Sequence, residues 1–257
     1  MRGWWREISG LVLPVSCGGC GRPRVELCPE CRAELYGGVP RRVSPVPEPA
    51  GLPVVHAAAA YENAVRAVLL GHKERGELGL AGALGTALAG AVRTGAVRAG
   101  AVAGSLLLVP VPSARRAVAA RGHDPTRRIA LAAARELRRD GVRAQVVPVL
   151  RQRREVADQA GLDARRRQTN LAGALEVVAG GERLLTAGRV VLVDDLLTTG
   201  ASLAEAARAV REARDVPPGA GEARGARGPL GSVRDRGGQA AVVAVSPSAF
   251  EINRNSR

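Results

Sequence analysis

Aromatic side chains are nearly missing from this sequence, which has one Phe, two Tyr and two Trp in 257 residues. A core of stacked rings is thereby excluded. Because 46% of the residues are still hydrophobic, burial must come from Leu, Val and Ala, in an interior whose elements approach closely. Lysine is equally scarce, so the formal charge of +14 is carried almost wholly by arginine and points to anionic partners such as phosphate compounds or nucleic acid. Long apolar runs are also lacking: no segment approaches the roughly 20 apolar residues that span a bilayer. Residues 1–16 carry Arg2 and Arg6, but Glu7, Ser9, Gly10 and Pro14 interrupt the run that an export signal needs. These absences predict a cytoplasmic protein with no membrane span.

Cysteine occurs only within CGGCGRPRVELCPEC, as Cys17, Cys20, Cys28 and Cys31. Each C-x2-C pair turns the backbone so that two sulfurs converge, and two such turns complete a tetrahedral thiolate site for a structural Zn²⁺. Two disulfides or two redox pairs are the alternative, disfavoured by the expected compartment. Four thiolates leave no open position for water, so the site's expected work is folding and docking rather than catalysis.

The chain divides into residues 1–36, an N-terminal helix and the cysteine knuckles; 37–60, a Pro/Gly/Arg-rich linker; and 61–257, the main domain. Apolar positions Val65, Val68 and Leu69, continued by Leu80, Leu84 and Leu88, predict two helices split near HKERG. The repeated GAVRTGAVRAGAVAG at 90–104 reads as a low-complexity connection. From Ser105 onward, apolar runs at 105–111, 144–150, 190–193 and 240–245 alternate with helical patterns, one of them capped by Asp124 with Pro125 behind it. Such alternation predicts an α/β fold with a doubly wound parallel sheet. Arg151 to Asn170 reads as a long mobile arginine loop, and 214–239, dense in Gly, Pro and Arg, as a disordered insertion.

The stretch VVLVDDLLTTGASL, residues 190–203, joins an apolar strand, two acids and a small-residue loop that opens into a helix. In open α/β sheets ligands bind at the carboxyl ends of strands. Main-chain amides at the helix start, with the hydroxyls of Thr198, Thr199 and Ser202, form a cradle for one phosphate, and Gly200 lets the backbone come close. Asp194 and Asp195 would repel a second phosphate. They suit vicinal sugar hydroxyls, and they can hold Mg²⁺ through its waters. A ribose 5-phosphate fits this pattern; a solvated turn before a capped helix is the bland alternative.

The same stretch resembles the motif that binds 5-phosphoribosyl 1-diphosphate (PRPP) in type I phosphoribosyltransferases. With the CxxC knuckles, YENAVRAVLLGHKERG (61–76), VPVPSARRAVAARGHDPTRRIA (109–130) and DQAGLDARRRQTNLAGAL (158–175), the chain is similar to the ComF family of competence-associated phosphoribosyltransferase-like proteins. The resemblance implies that Asp194 and Asp195 contact the ribose hydroxyls and that Thr198, Thr199, Gly200, Ala201 and Ser202 hold the 5-phosphate. It makes Pro112 and Ser113 a pyrophosphate loop, with a plain strand-to-helix turn as the alternative. Lys73, Arg121 and His123 become candidate pyrophosphate ligands, whereas His56 has no such context. The arginine loop either closes over the diphosphate or is a solvated tether. The implied reaction transfers 5-phosphoribosyl from PRPP, with Mg²⁺, to a nitrogen acceptor. Competing readings are a non-catalytic PRPP sensor, an accessory that binds single-stranded DNA alongside competence or recombination proteins, and a purine salvage enzyme; in the second, Trp4 and Trp5 either stack on bases or, the favoured use of adjacent tryptophans, anchor the first helix to the core.

Overall fold

The computed structural model describes residues 15–98, 104–154, 170–215 and 238–247. Eight strands occur among them: β1 (Arg41–Val43), β2 (Val54–Ala60), β3 (Leu106–Pro110), β4 (Ala144–Val146), β5 (Leu150–Gln152), β6 (Leu175–Val177), β7 (Arg189–Leu197) and β8 (Gln239–Val245). Six form one sheet in the order β1-β2-β8-β7-β3-β4. Every pairing in it is parallel except the edge pair β1–β2. β5 and β6 make a separate antiparallel ribbon.

The helices are α1 (Pro29–Tyr36), α2 (Asn63–Glu74), α3 (Ala81–Arg98), α4 (Arg115–Arg121), α5 (Pro125–Arg139), α6 (Gly181–Leu185) and α7 (Ala201–Asp215). A 3-10 turn at Leu78–Leu80 separates α2 from α3, matching the split expected near HKERG. Asp124 caps α5, accepting a hydrogen bond from the Arg127 amide at 3.0 Å. Residues 90–98, expected as a connection, instead complete α3: Ala91 and Val92 are fully buried, and alanine favours helix wherever packing rewards it.

Side-chain alternation along the central strands builds two cores. Leu106, Leu108, Val191 and Val193 face α2, α3 and α5, whereas Leu107, Val109, Val190 and Leu192 face α7. The aliphatic composition has its consequence where α3 meets α5. A Cβ placed on Gly85 would lie 2.8 Å from the Ala132 carbonyl carbon, so the two helices touch almost backbone to backbone.

Residues 37–60, read from sequence as a linker, contribute β1 and β2 to the sheet. The strand VVHAAAA is inconspicuous because alanine has little intrinsic β preference, and its burial against β8 supplies what propensity does not. At the other margins, Arg151 and Gln152 are strand rather than loop, and Arg214 and Asp215 finish α7. The bulk of both arginine-rich segments and the N-terminal stretch with Trp4 and Trp5 lie outside the described residues. Among the described residues no helix is long and apolar enough to cross a membrane.

The cysteine element docks on the helical face of this sheet. Cys17, Cys28 and Cys31 are buried in the same cluster as Val65, Leu80 and Leu84.

Candidate functional site

The central strand β7 outruns its neighbour. β3 ends at Pro110, opposite Val193, while β7 continues along β8 until Leu197 pairs with Val245. Asp194 to Leu197 therefore have no strand on the β3 side, and a cavity of about 340 Å³ opens there. The acids, expected just after the strand, belong to it, because β7 keeps pairing with β8 at Asp194, Leu196 and Leu197. They still lie at the carboxyl end of the sheet, where ligands bind in such folds.

Both acids line the cavity. Asp194 Oδ1 accepts the Asp195 amide at 2.8 Å, and Asp195 is buried. Burial raises the Asp194 carboxyl to about 8, and the neighbouring Asp195 charge adds to the effect; Lys73 opposes it without prevailing. Lys73, on the last turn of α2, places Nζ 2.7 Å from Asp195 Oδ2. Burial disfavours its charge, but the Asp195 carboxylate outweighs this and raises the ammonium above its ordinary value. Lys73 is the only lysine in the chain.

Arg121 also reaches the cavity, where its guanidinium is held by Glu74 through two hydrogen bonds of 3.0 and 2.9 Å. The last turn of α2 thus grips both sides of the pocket, Lys73 holding the acid strand and Glu74 holding α4. His123 does not line the cavity. Its ring nitrogens face the carbonyls of Arg121 at 3.1 Å and His72 at 3.2 Å, so it fastens α2 to the start of α5. His72 is itself buried, and desolvation lowers its pKa. His56 is buried within β2 and packs on Gly95.

The expected phosphate loop is narrower than its motif. Thr198 and Ser202 line the cavity, but Thr199 turns its hydroxyl to the Ala201 amide at 3.5 Å, and Gly200 and Ala201 are buried. Gly200 has φ +76°, which swings the chain from β7 into α7, and its carbonyl accepts the first helical bond from Ala204 at 2.9 Å. Across the cavity, Pro112 and Ser113 form the mouth of the loop between β3 and α4. Sequence reasoning misses Thr126, Gln152, Leu171 and Leu175, which also line the cavity. Gln152 and Leu175 arrive on the β5–β6 ribbon, a pairing of two three-residue strands too short to leave a periodic signal.

The sulfurs of Cys17, Cys20, Cys28 and Cys31 all lie within 4.8 Å of one another, and none is in a disulfide. A tetrahedral thiolate site with Zn–S bonds of ~2.3 Å spaces its sulfurs by about 3.8 Å. The Cys20–Cys28 separation is 3.7 Å. Burial works to raise Cys17, but hydrogen bonds from the backbone of Cys20, Cys28 and Gly19 bring it down to about 6, while burial pushes Cys31 up. The four-cysteine cluster fits zinc. The acid pair does not fit directly coordinated Mg²⁺ in the same way, since an ammonium already sits on the buried carboxylate that a hard cation would need. Comparison of the chain with protein-family models and with curated proteins finds no match.

Proposed function

We propose that this chain is a phosphoribosyltransferase-like protein of the ComF type that binds PRPP in the cavity at the end of β7. The observation that carries the reading is the meeting, in one cavity of about 340 Å³, of twin carboxylates, hydroxyls at a helix start and a second loop at Pro112 and Ser113. The pentose diol donates to Asp194 and Asp195, while its 5-phosphate accepts from Thr198, Ser202 and the first amides of α7. The diphosphate then lies toward Ser113 and Arg121.

In this arrangement the C1–O bond to diphosphate breaks as a C1–N bond forms. Positive charge grows on the ribose ring beside the Asp195 carboxylate, which favours the transition state over the ground state, while Asp194, its carboxyl raised to about 8, acts as a hydrogen-bond partner of the diol. No covalent nucleophile is required. Mg²⁺, which the resemblance implies, would supply charge to the departing diphosphate, on the side of the cavity where Ser113 and Arg121 lie. Calorimetric titration with PRPP, followed by pyrophosphate release across nucleobases and amines, tests the reading. PRPP affinity unchanged by the double replacement Asp194→Asn, Asp195→Asn would sink it.

Charge favours a second reading, a single-stranded DNA accessory: the excess of +14 is nearly all arginine, the side chain best suited to phosphate. Salt-dependent DNA binding that survives the same double replacement supports that role, which is compatible with a sugar-phosphate site.

A further inference from the structure

In a chain whose permanently charged cationic side chains are otherwise all arginine, the single lysine stands on the buried acid of the cavity. We propose that Lys73 is the resident counter-ion of this site: seated on Asp195, it takes the place a divalent cation would occupy, so a pentose 5-phosphate binds without metal. The proposal rests on the sugar-site reading above for its ligand, but not for its claim about metal.

Three features support it. Asp195 has a side chain only 7% exposed, so its charge demands a partner, and the ammonium at 2.7 Å supplies one. An ammonium is a compact point charge that engages one carboxylate oxygen. A guanidinium would fork across both oxygens, taking one acceptor site on each from the sugar hydroxyls. The position is also held from behind. His72 is buried next to it with its carbonyl on His123, and Glu74 immediately after it occupies Arg121, so the cavity's other cation is not free to substitute. A divalent ion on Asp195 would have to share one carboxylate with this ammonium, against like-charge repulsion.

The experiment uses the zinc-loaded protein and ribose 5-phosphate, which lacks the diphosphate that brings its own metal. Calorimetry is run in buffer stripped over chelating resin and again with Mg²⁺, and Mn²⁺ alone is titrated with detection by electron paramagnetic resonance. Wild type is expected to bind ribose 5-phosphate with affinities that agree within about twofold in the two buffers, and to show no Mn²⁺ site at the acids. Lys73→Met should lose about tenfold or more in stripped buffer, regain part of it with Mg²⁺, and acquire a Mn²⁺ site. Lys73→Arg keeps the charge but should still weaken binding, because the fork takes an acceptor site on each oxygen that the sugar hydroxyls would use.

Ribose 5-phosphate binding by wild type that vanishes in stripped buffer overturns the proposal. So does a wild-type Mn²⁺ site that Asp195→Asn removes. Should ribose 5-phosphate fail to bind in either buffer, the sugar reading falls, and the Mn²⁺ titration of wild type still decides whether Lys73 excludes metal. These arms need no variant at residue 73, so they stand even where Lys73→Met misfolds.

Discussion

Glu205 Oε1 accepts a 3.0 Å hydrogen bond from the main-chain N–H of Leu175, and Arg208, one turn further along α7, donates to the Leu175 carbonyl at 2.8 Å. Two helical side chains, themselves joined at 2.7 Å, thus act toward β6 as an adjacent strand would. Because Leu175 lines the cavity and α7 begins at the phosphate loop, one helix fixes two walls of the site. Glu205→Ala should cost about 1–3 kcal/mol, since it leaves the buried Leu175 amide without its acceptor, while Arg208 keeps Glu212 and the Leu175 carbonyl. Hydrogen exchange at Leu175 should accelerate more than exchange in β7.

Much of this arrangement is legible in the sequence, and the illegible part has a common cause. Apolar runs locate β3, β7 and β8, the Asp124-Pro125 pair locates α5, and VVLVDDLLTTGASL locates the acids, because each signal is local and repeats with the period of its element. β2 escapes notice since VVHAAAA owes its strand state to β8, and the ribbon wall escapes notice since Leu175 is held by residues on a helix thirty positions away. Lys73 and Arg121 are recognisable as candidate diphosphate ligands. That each already answers an acid, Asp195 or Glu74, depends on side-chain reach that spacing does not encode.

Asp194 should make stability fall as pH rises. Its carboxyl is raised by burial and by Asp195 to about 8, so the proton it keeps in the folded state contributes fully below the unfolded value of 3.8, and the contribution is lost as pH rises through about 8. Asp194→Asn removes that loss. Urea midpoints measured from about pH 5 to 9 should decline more for wild type than for the variant. Parallel profiles would show that Asp194 is ionised across the range.

Arg121 and Glu74 form a partly exposed pair, so breaking it should change stability by no more than about 1 kcal/mol. Its effect on ligand should be larger and of two signs. Arg121→Ala should weaken pyrophosphate binding about tenfold by removing a cation from the cavity, whereas Glu74→Gln should strengthen it by releasing the guanidinium. Calorimetry with pyrophosphate on both variants separates a ligand role from a purely structural one, which would leave both affinities alike.

Removal of metal should act on the helical face. Metal analysis is expected to find one zinc per chain, and because Cys17, Cys28 and Cys31 share a core cluster with Leu80 and Leu84, stripping it should loosen the docking of α1 on α2 and α3. The loss should be several kcal/mol, less than the roughly 10–16 kcal/mol of isolated zinc fingers, because apolar packing remains. Thermal melts with and without a thiol-compatible chelator measure it; identical melts of zinc-loaded and stripped protein would contradict the assignment.

Gly200 offers the sharpest separation of backbone from site. Its φ of +76° costs an alanine about 1–2 kcal/mol, and a Cβ there would also meet Leu52 Cδ1 at 3.1 Å and the Cγ atoms of Pro45 and Pro49 at 3.2 Å. Those contacts come from the segment between β1 and β2, so relieving them must move either that segment or the turn into α7. Gly141 has φ +77° with nothing within 4 Å of its Cβ position, and Gly141→Ala is therefore the control for the backbone cost alone. Gly200→Ala should be the less stable of the two by about 1 kcal/mol or more, and only it should lower PRPP affinity, by about tenfold, as Thr198 and Ser202 shift. Equal affinities in the two variants would mean that the turn at Gly200 shapes the fold without shaping the phosphate cradle.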